Sequence, residues 1–196
     1  MLLPLIIFAY LLGSIPSGYI VGTLAGVDVR NAGSGNIGAT NVARILGKGL
    51  GVLTLLADAA KGYVPVFIAL RMGLNPTAVA LVAIAAFLGH LYPVFLRFQG
   101  GKGVATAFGA LLGIAPVATL ILVGVFAAVV ICSRRISLGS IAAALAAPIA
   151  LWTISAPAAF IAMSTILGAM VIVRHRDNIR RLLAGTEPRF DPANFR

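Results

Sequence analysis

Hydrophobic positions along this chain come in long blocks. Residues 2–25 carry no charge, and at a rise of about 1.5 Å per helical residue that block is long enough to cross a hydrocarbon core of about 30 Å. Uncharged or nearly uncharged blocks follow at 50–70, 77–96, 103–133 and 136–173. The first block lacks the basic start and the short apolar stretch of a secretory signal, so it predicts a retained helix. Pro16 and Ser17 predict a kink halfway along it, tolerated in lipid where the loosened backbone faces protein. Gly18, Gly22 and Gly26, spaced by four, predict a close approach of another helix backbone.

The last two blocks, of 31 and 38 residues, are too long for one ordinary span and short for two of about 20 residues. Charge decides between the counts, because basic residues collect on the cytoplasmic side of a membrane protein. If each block crosses once, giving five spans, Arg134 and Arg135 fall opposite Arg97 and Lys102. If each is a helical hairpin, bent near Pro116 and Pro157, then Arg30, Arg44 and Lys48, Arg97 and Lys102, Arg134 and Arg135, and the arginine-rich tail share one side. Only Arg71 stays outside. The prediction is a single all-α transmembrane domain over 1–196 with seven spans, some short, the N-terminus outside and the C-terminus cytoplasmic; five spans is the alternative.

Composition agrees with a membrane protein and narrows what it does. The chain is 60% apolar and 10% charged, with 15 Lys and Arg against 5 Asp and Glu, a formal net charge of +10. A soluble domain cannot cover its surface with so little polarity, which excludes a soluble enzyme, a disordered chain and a DNA-binding module. The single Cys132 excludes an intramolecular disulfide and any cysteine-based metal or redox motif.

Candidate chemistry lies in the loops. The first, VDVRNAGSGNIGATNVARILGKGLG, sets Gly33, Gly35 and Gly38 among Ser34, Asn36, Thr40 and Asn41; glycines at that density expose backbone N–H groups that bind anions. Arg44 follows Thr40 by one turn and Lys48 follows Arg44 by four residues, so a basic edge is expected to face this nest. The second, GHLYPVFLRFQGGKGVATAFG, flanks Lys102 with Gly100, Gly101 and Gly103 before a helix start at Val104. It is not a P-loop, but a glycine-cradled lysine at a helix N-terminus has the physics of a phosphate site. Ser137 and Ser140 follow Arg134 and Arg135; they either donate to a ligand or cap the next helix. His175 and Asn178 share a helix face, and the arginines around His175 disfavour its charged form. A neutral imidazole there accepts a hydrogen bond from a hydroxyl; the other reading is an interfacial residue in a lipid-touching basic tail. Within the membrane Asp58 and Lys61, three apart, neutralise each other, and His90 is expected to orient the GGKG loop rather than react.

Together these segments resemble the bacterial acyl-phosphate:glycerol-3-phosphate acyltransferases of the PlsY family. The resemblance runs through GSIPSGYIVG at 13–22, GSGNIGATNVAR at 33–44, DAAKG from Asp58, the 89–109 loop, SLGS at 137–140 and RHRDNIRRLLAG at 174–185. It implies transfer of a fatty acyl group from acyl phosphate to the sn-1 hydroxyl of glycerol 3-phosphate, giving lysophosphatidic acid and inorganic phosphate, in the inner membrane of a bacterium. On that reading Lys102, Arg44 and Ser34 hold phosphate, with Gly35, Asn36, Thr40, Asn41, Ser137 and Ser140 as further substrate-binding candidates. The Gly100, Gly101 and Gly103 loop receives a phosphate or the developing oxyanion, and His175 and Asn178 orient the hydroxyl. The partners are glycerol 3-phosphate, acyl phosphate and membrane lipid, compatible with a monomer, with no nucleic acid, no cofactor and no metal. A transporter of a phosphorylated or other anionic solute is the competing class; it calls for polar residues through the membrane, and the later blocks hold only scattered Ser and Thr. A thioester donor is disfavoured, since neither His90 nor His175 has the Asp five residues on that many thioester-using acyltransferases carry.

Overall fold

The computed structural model describes residues 1–190, and the regular secondary structure among them is all helical. Helices α1 (Leu2–Gly13) and α2 (Ser17–Leu24) form one broken span; α3 (Ala39–Leu46) ends the first loop; α4 (Lys48–Arg71) and α5 (Pro76–Leu91) are continuous. A 3-10 turn, Val94–Leu96, leads into α6 (Val104–Ile114), followed by α7 (Pro116–Ser133), α8 (Ile136–Thr153), α9 (Ala158–Arg174) and α10 (Arg176–Leu183).

The break between α1 and α2 follows from Pro16, which has no N–H to continue the ladder. The loosened carbonyl of Ile15 accepts instead from Lys61 Nζ of α4 at 2.8 Å, and the same ammonium pairs with Asp58 at 2.8 Å. One buried lysine thus satisfies both the helix break and the expected carboxylate partner. Asp58 also lies 3.6 Å from His90 Nδ1 on α5.

The two long blocks divide where proline required. Pro116 opens α7 directly after Ala115, and Pro157 precedes α9. Arg134, in left-handed conformation, turns the chain between α7 and α8.

Helix α5 forms the centre, with Val79, Val82, Ala83, Ala86, Phe87 and Leu91 fully buried. In lipid there is no hydrophobic drive between helices, so close packing must hold them. A Cβ on Gly13 of α1 would lie 2.0 Å from the Ala86 carbonyl oxygen, and one on Gly109 of α6 would lie 1.9 Å from that of Ala59 in α4. These glycines, not the 18–22–26 series, bring helix backbones together. Gly18 and Gly22 instead seat the returning loop, against the Ile37 carbonyl and Val27–Val29, while Gly26 ends α2 with φ of 75°. The outer faces carry Leu56, Leu120, Ile149 and Trp152, all more than half exposed, as suits a surface solvated by hydrocarbon. Five segments are long and apolar enough to span, and α9 counts as a sixth if it and α10, bent by 59°, are taken as one unit. Helix α6, at 11 residues, is about 16 Å long.

Candidate active site

Two clusters form from the loops. The first is organised by Asn41, at the start of α3 and 2% exposed. Its Oδ1 accepts from the Ser34 N–H at 2.8 Å, and its Nδ2 donates to the carbonyls of Val29, Ala32 and Asn36 at 3.1, 3.1 and 2.9 Å. Asn41 therefore shapes the nest with both ends of its amide. Asn36 Oδ1 accepts from the Gly38 N–H at 2.8 Å, and the Gly35 N–H donates to Ala32. Ser34 and Arg44 are exposed and Thr40 is half-buried. The basic edge expected of Arg44 and Lys48 on one helix does not form: Gly47, at φ of 90°, ends α3, and Lys48 begins α4.

The second cluster joins segments far apart in sequence. Gly100 and Gly101 lie across the end of α5, their N–H groups donating to the Leu91 and His90 carbonyls at 3.1 and 3.2 Å. A Cβ at Gly101 would stand 2.2 Å from His90 Nε2, so only glycine lets the loop rest on that ring, the placement expected for His90. Gly103 has φ of 82°, and a Cβ there would meet the Phe87 ring at 2.3 Å. The loop thereby delivers Lys102 to α10, where its ammonium donates to Asn178 Oδ1. Burial, ahead of the surrounding charges, pushes the Lys102 pKa down to about 8.

Asn178 Nδ2 in turn donates to Glu187 Oε1 at 2.6 Å, as does the Ser137 hydroxyl at 2.6 Å, and Arg181 Nε donates to Glu187 Oε2 at 2.8 Å. Glu187 is 8% exposed; although burial opposes its charge, hydrogen bonds from Ser137, Asn178 and Arg181 hold its carboxyl below the usual carboxylate range. Ser140, by contrast, donates to the Ile136 carbonyl of its own helix at 3.0 Å. Of the two serines, Ser137 enters the charged cluster.

His175 is 3% exposed, at the break between α9 and α10. Its Nδ1 lies 2.8 Å from the Val171 carbonyl, which can only accept, so Nδ1 carries the proton and neutral Nε2 offers a lone pair. Burial, and then the nearby Lys102 charge, hold its pKa at about 4. Arg174 completes the cluster, donating to the Gly100 and Gly101 carbonyls at 2.6 and 3.1 Å.

Lys102, the three loop glycines, Ser137, His175 and Asn178 are thus brought together, while Ser34, Gly35, Asn36, Thr40, Asn41 and Arg44 form the separate nest. A cavity of about 470 Å³ opens where the first loop meets the 95–99 turn, lined by Tyr19, Arg30, Phe95, Leu96, Arg97 and Gln99. Sequence reasoning missed Glu187, Arg181 and Arg174 as members of the site. The signal for Glu187 was its rarity: it is the sole glutamate of the chain. Among the described residues no three His, Cys, Asp or Glu side chains gather as a metal site.

A lipid-embedded helical bundle with a cationic, amide-rich site at its helix ends defines a membrane protein that handles an anionic substrate. The glycerol-3-phosphate acyltransferase family model matches residues 3–185. Named relatives include glycerol-3-phosphate acyltransferases of Geotalea daltonii, 52% identical over 93% of this chain and 94% of the relative, and of Aquifex aeolicus, 46% identical over 95% and 97%. A crystal structure of PlsY (YgiH), an integral membrane glycerol 3-phosphate acyltransferase, in its glycerol 3-phosphate form superposes with a TM-score of 0.95 at 45% identity, covering 98% of this chain and 96% of that one. Its lysophosphatidic acid form gives a TM-score of 0.93 at 44% identity, over 99% and 97%. The chain belongs to the glycerol-3-phosphate acyltransferase family and is an enzyme of the membrane.

Proposed function

We propose that this enzyme transfers an acyl group from acyl phosphate to the sn-1 hydroxyl of glycerol 3-phosphate at the cytoplasmic face of a bacterial inner membrane. The observation that carries the residue assignment is the Lys102–Asn178 hydrogen bond, which joins the GGKG loop to the His175–Asn178 turn across 76 positions. Lys102, and in the nest Ser34 and Arg44, hold substrate phosphate. The N–H groups of Lys102 and Gly103 make no hydrogen bond within the described chain, and with the first turn of α6 they are free for the carbonyl oxygen as it becomes an oxyanion.

His175 Nε2 accepts the hydrogen bond of the glycerol hydroxyl and orients its oxygen toward the acyl carbon. A C–O bond forms there, the bond to the phosphate oxygen breaks, and inorganic phosphate leaves. A ring held at a pKa of about 4 is a weak base, so the hydroxyl proton passes to a phosphate oxygen of the substrates, whose second pKa is about 6. Positioning and electrostatics then supply most of the rate. The shared cytoplasmic side of the basic clusters supports seven crossings, with α6 crossing as a short helix packed on α4.

Lys102→Ala tests the site: loss of a charge-assisted phosphate contact of about 1.5–3 kcal/mol or more leaves less than about a tenth of turnover, with the fold retained. Near-normal turnover overturns the assignment. For topology, with Cys132 replaced, single cysteines at the exposed positions Arg134 and Asn75 are expected to label from the cytoplasm and from outside respectively. Labelling of position 134 from outside restores five spans.

A further inference from the structure

Arg174 ends α9, one residue before His175 and four before Asn178. The positive-inside rule alone would leave such an arginine in water or among lipid headgroups. It is instead half-buried, and the side chain makes no ion pair with an acidic residue among those described. Its hydrogen bonds go to two consecutive backbone carbonyls, Nη2 to Gly100 at 2.6 Å and Nε to Gly101 at 3.1 Å. The guanidinium carbon also lies 6.0 Å from the centre of the Tyr92 ring, a cation–π contact that steadies its plane.

A trans peptide points each carbonyl opposite to the N–H of the following residue. Holding the Gly100 carbonyl therefore turns the Gly101 N–H the other way, where it meets the His90 carbonyl at 3.2 Å. Holding the Gly101 carbonyl turns the Lys102 N–H away from Arg174, where it has no partner within the described chain. Two adjacent glycines would otherwise let these planes rotate over a wide range. A carbonyl rotated toward an incoming phosphate would repel it, and the fork of one guanidinium prevents that at both peptides together.

We propose that Arg174 is a positioning residue for acyl transfer: it fixes the Gly100–Gly101 and Gly101–Lys102 peptide planes so that the Lys102 amide faces the reacting acyl phosphate in register with His175. This rests on the reading of the GGKG loop given above. The arginine touches no substrate; it acts through the loop, and because it directly precedes His175 it also ties the loop to the hydroxyl-orienting turn.

The test compares purified Arg174→Ala, Arg174→Lys and Lys102→Ala with the wild type, by steady-state kinetics and thermal unfolding in the same detergent. Arg174→Ala is expected to lower kcat about 10- to 100-fold with the KM for glycerol 3-phosphate within about threefold, since the loss falls on the transition state. Arg174→Lys falls between, as an ammonium cannot fork two carbonyls. Guanidinium ion at tens of millimolar is expected to raise kcat of Arg174→Ala and to leave Lys102→Ala unchanged, a rescue that a merely structural role would not show. Wild-type kcat in Arg174→Ala, with Lys102→Ala inactive, overturns the positioning role and leaves the loop assignment standing. Activity in Lys102→Ala overturns the loop assignment and the proposal with it. If Arg174→Ala does not yield folded protein, Arg174→Lys decides: a reduced kcat at preserved stability supports the role, and an unchanged kcat overturns it.

Discussion

Replacing Glu187 by alanine removes one carboxylate and leaves three donors behind. The Ser137 hydroxyl and the Asn178 amide, each 2.6 Å from Oε1, both belong to residues 7% exposed, so water does not readily replace the lost acceptor. The Arg181 side chain is 39% exposed and recovers most of its hydration. Two buried donors left unsatisfied cost about 1–3 kcal/mol each, and water entering the vacated space brings the sum to about 2–4 kcal/mol. For a chain of this size that lowers Tm by roughly 5–15 °C. Glu187→Gln retains one acceptor oxygen but sets an NH2 against Arg181 or the other donors, so about half the loss is expected. The assay is thermal unfolding in detergent, with a double-mutant cycle against Ser137→Ala to isolate the pair. The dependence on pH gives a second check. Because the folded carboxyl titrates below its usual range, its stabilisation is complete above the unfolded value of about 4.3 and is lost as pH falls through the folded one. Glu187→Ala should lack that loss. A Tm within about 1 °C of wild type would refute the bridge, since even one buried unsatisfied donor costs more.

Two further outcomes follow from the site. Because Lys102 titrates at about 8, it is a cation below that pH and neutral above it; kcat/KM for glycerol 3-phosphate is expected to fall above about pH 8, and a profile flat to pH 10 would contradict the assignment. His175→Ala is expected to be severely impaired and His175→Asn partly active, because Asn accepts a hydrogen bond but cannot take a proton near neutrality; equal and complete loss in both variants would favour a general base. Any limb near pH 6 belongs to substrate phosphate, since His175 itself titrates at about 4, and it should persist in His175→Asn.

Much of this architecture could be read along the chain because its causes are local. Pro16, Pro116 and Pro157 mark the helix breaks, although Pro65 and Pro148 are carried inside α4 and α8, and Asp58 and Lys61 pair because three residues make most of one helical turn. Lys102, Ser137, His175 and Asn178 were marked by charge, hydroxyl and spacing. Their convergence was not, because the Ser137–Glu187 bond spans 50 residues and the Arg174–Gly100 bond 74, and only packing of α9 against α5 and α8 brings those segments together. The 18–22–26 glycines announced a close approach without identifying the partner, which proved to be the returning first loop. Asn41 looked like a ligand because an amide serves equally to bind an anion or to close a loop; its five-way neighbourhood of Ser34, Val29, Ala32, Asn36 and Arg44 shows the second use. Lys48 left the basic edge because Gly47 adopts a φ of 90°, a local choice that glycine permits and spacing does not reveal.

The central claim is that the cationic, amide-rich site receives a phosphate leaving group from an acyl donor while a glycerol hydroxyl attacks. The most direct measurement follows inorganic phosphate and lysophosphatidic acid together, using purified wild-type enzyme in detergent with acyl phosphate, with and without glycerol 3-phosphate, and with acyl-CoA as the alternative donor. The account predicts that phosphate appears only when glycerol 3-phosphate is present, in equal amount with lysophosphatidic acid, and that acyl-CoA gives none. Efficient acylation from acyl-CoA with acyl phosphate inert, or phosphate release independent of glycerol 3-phosphate, would contradict it.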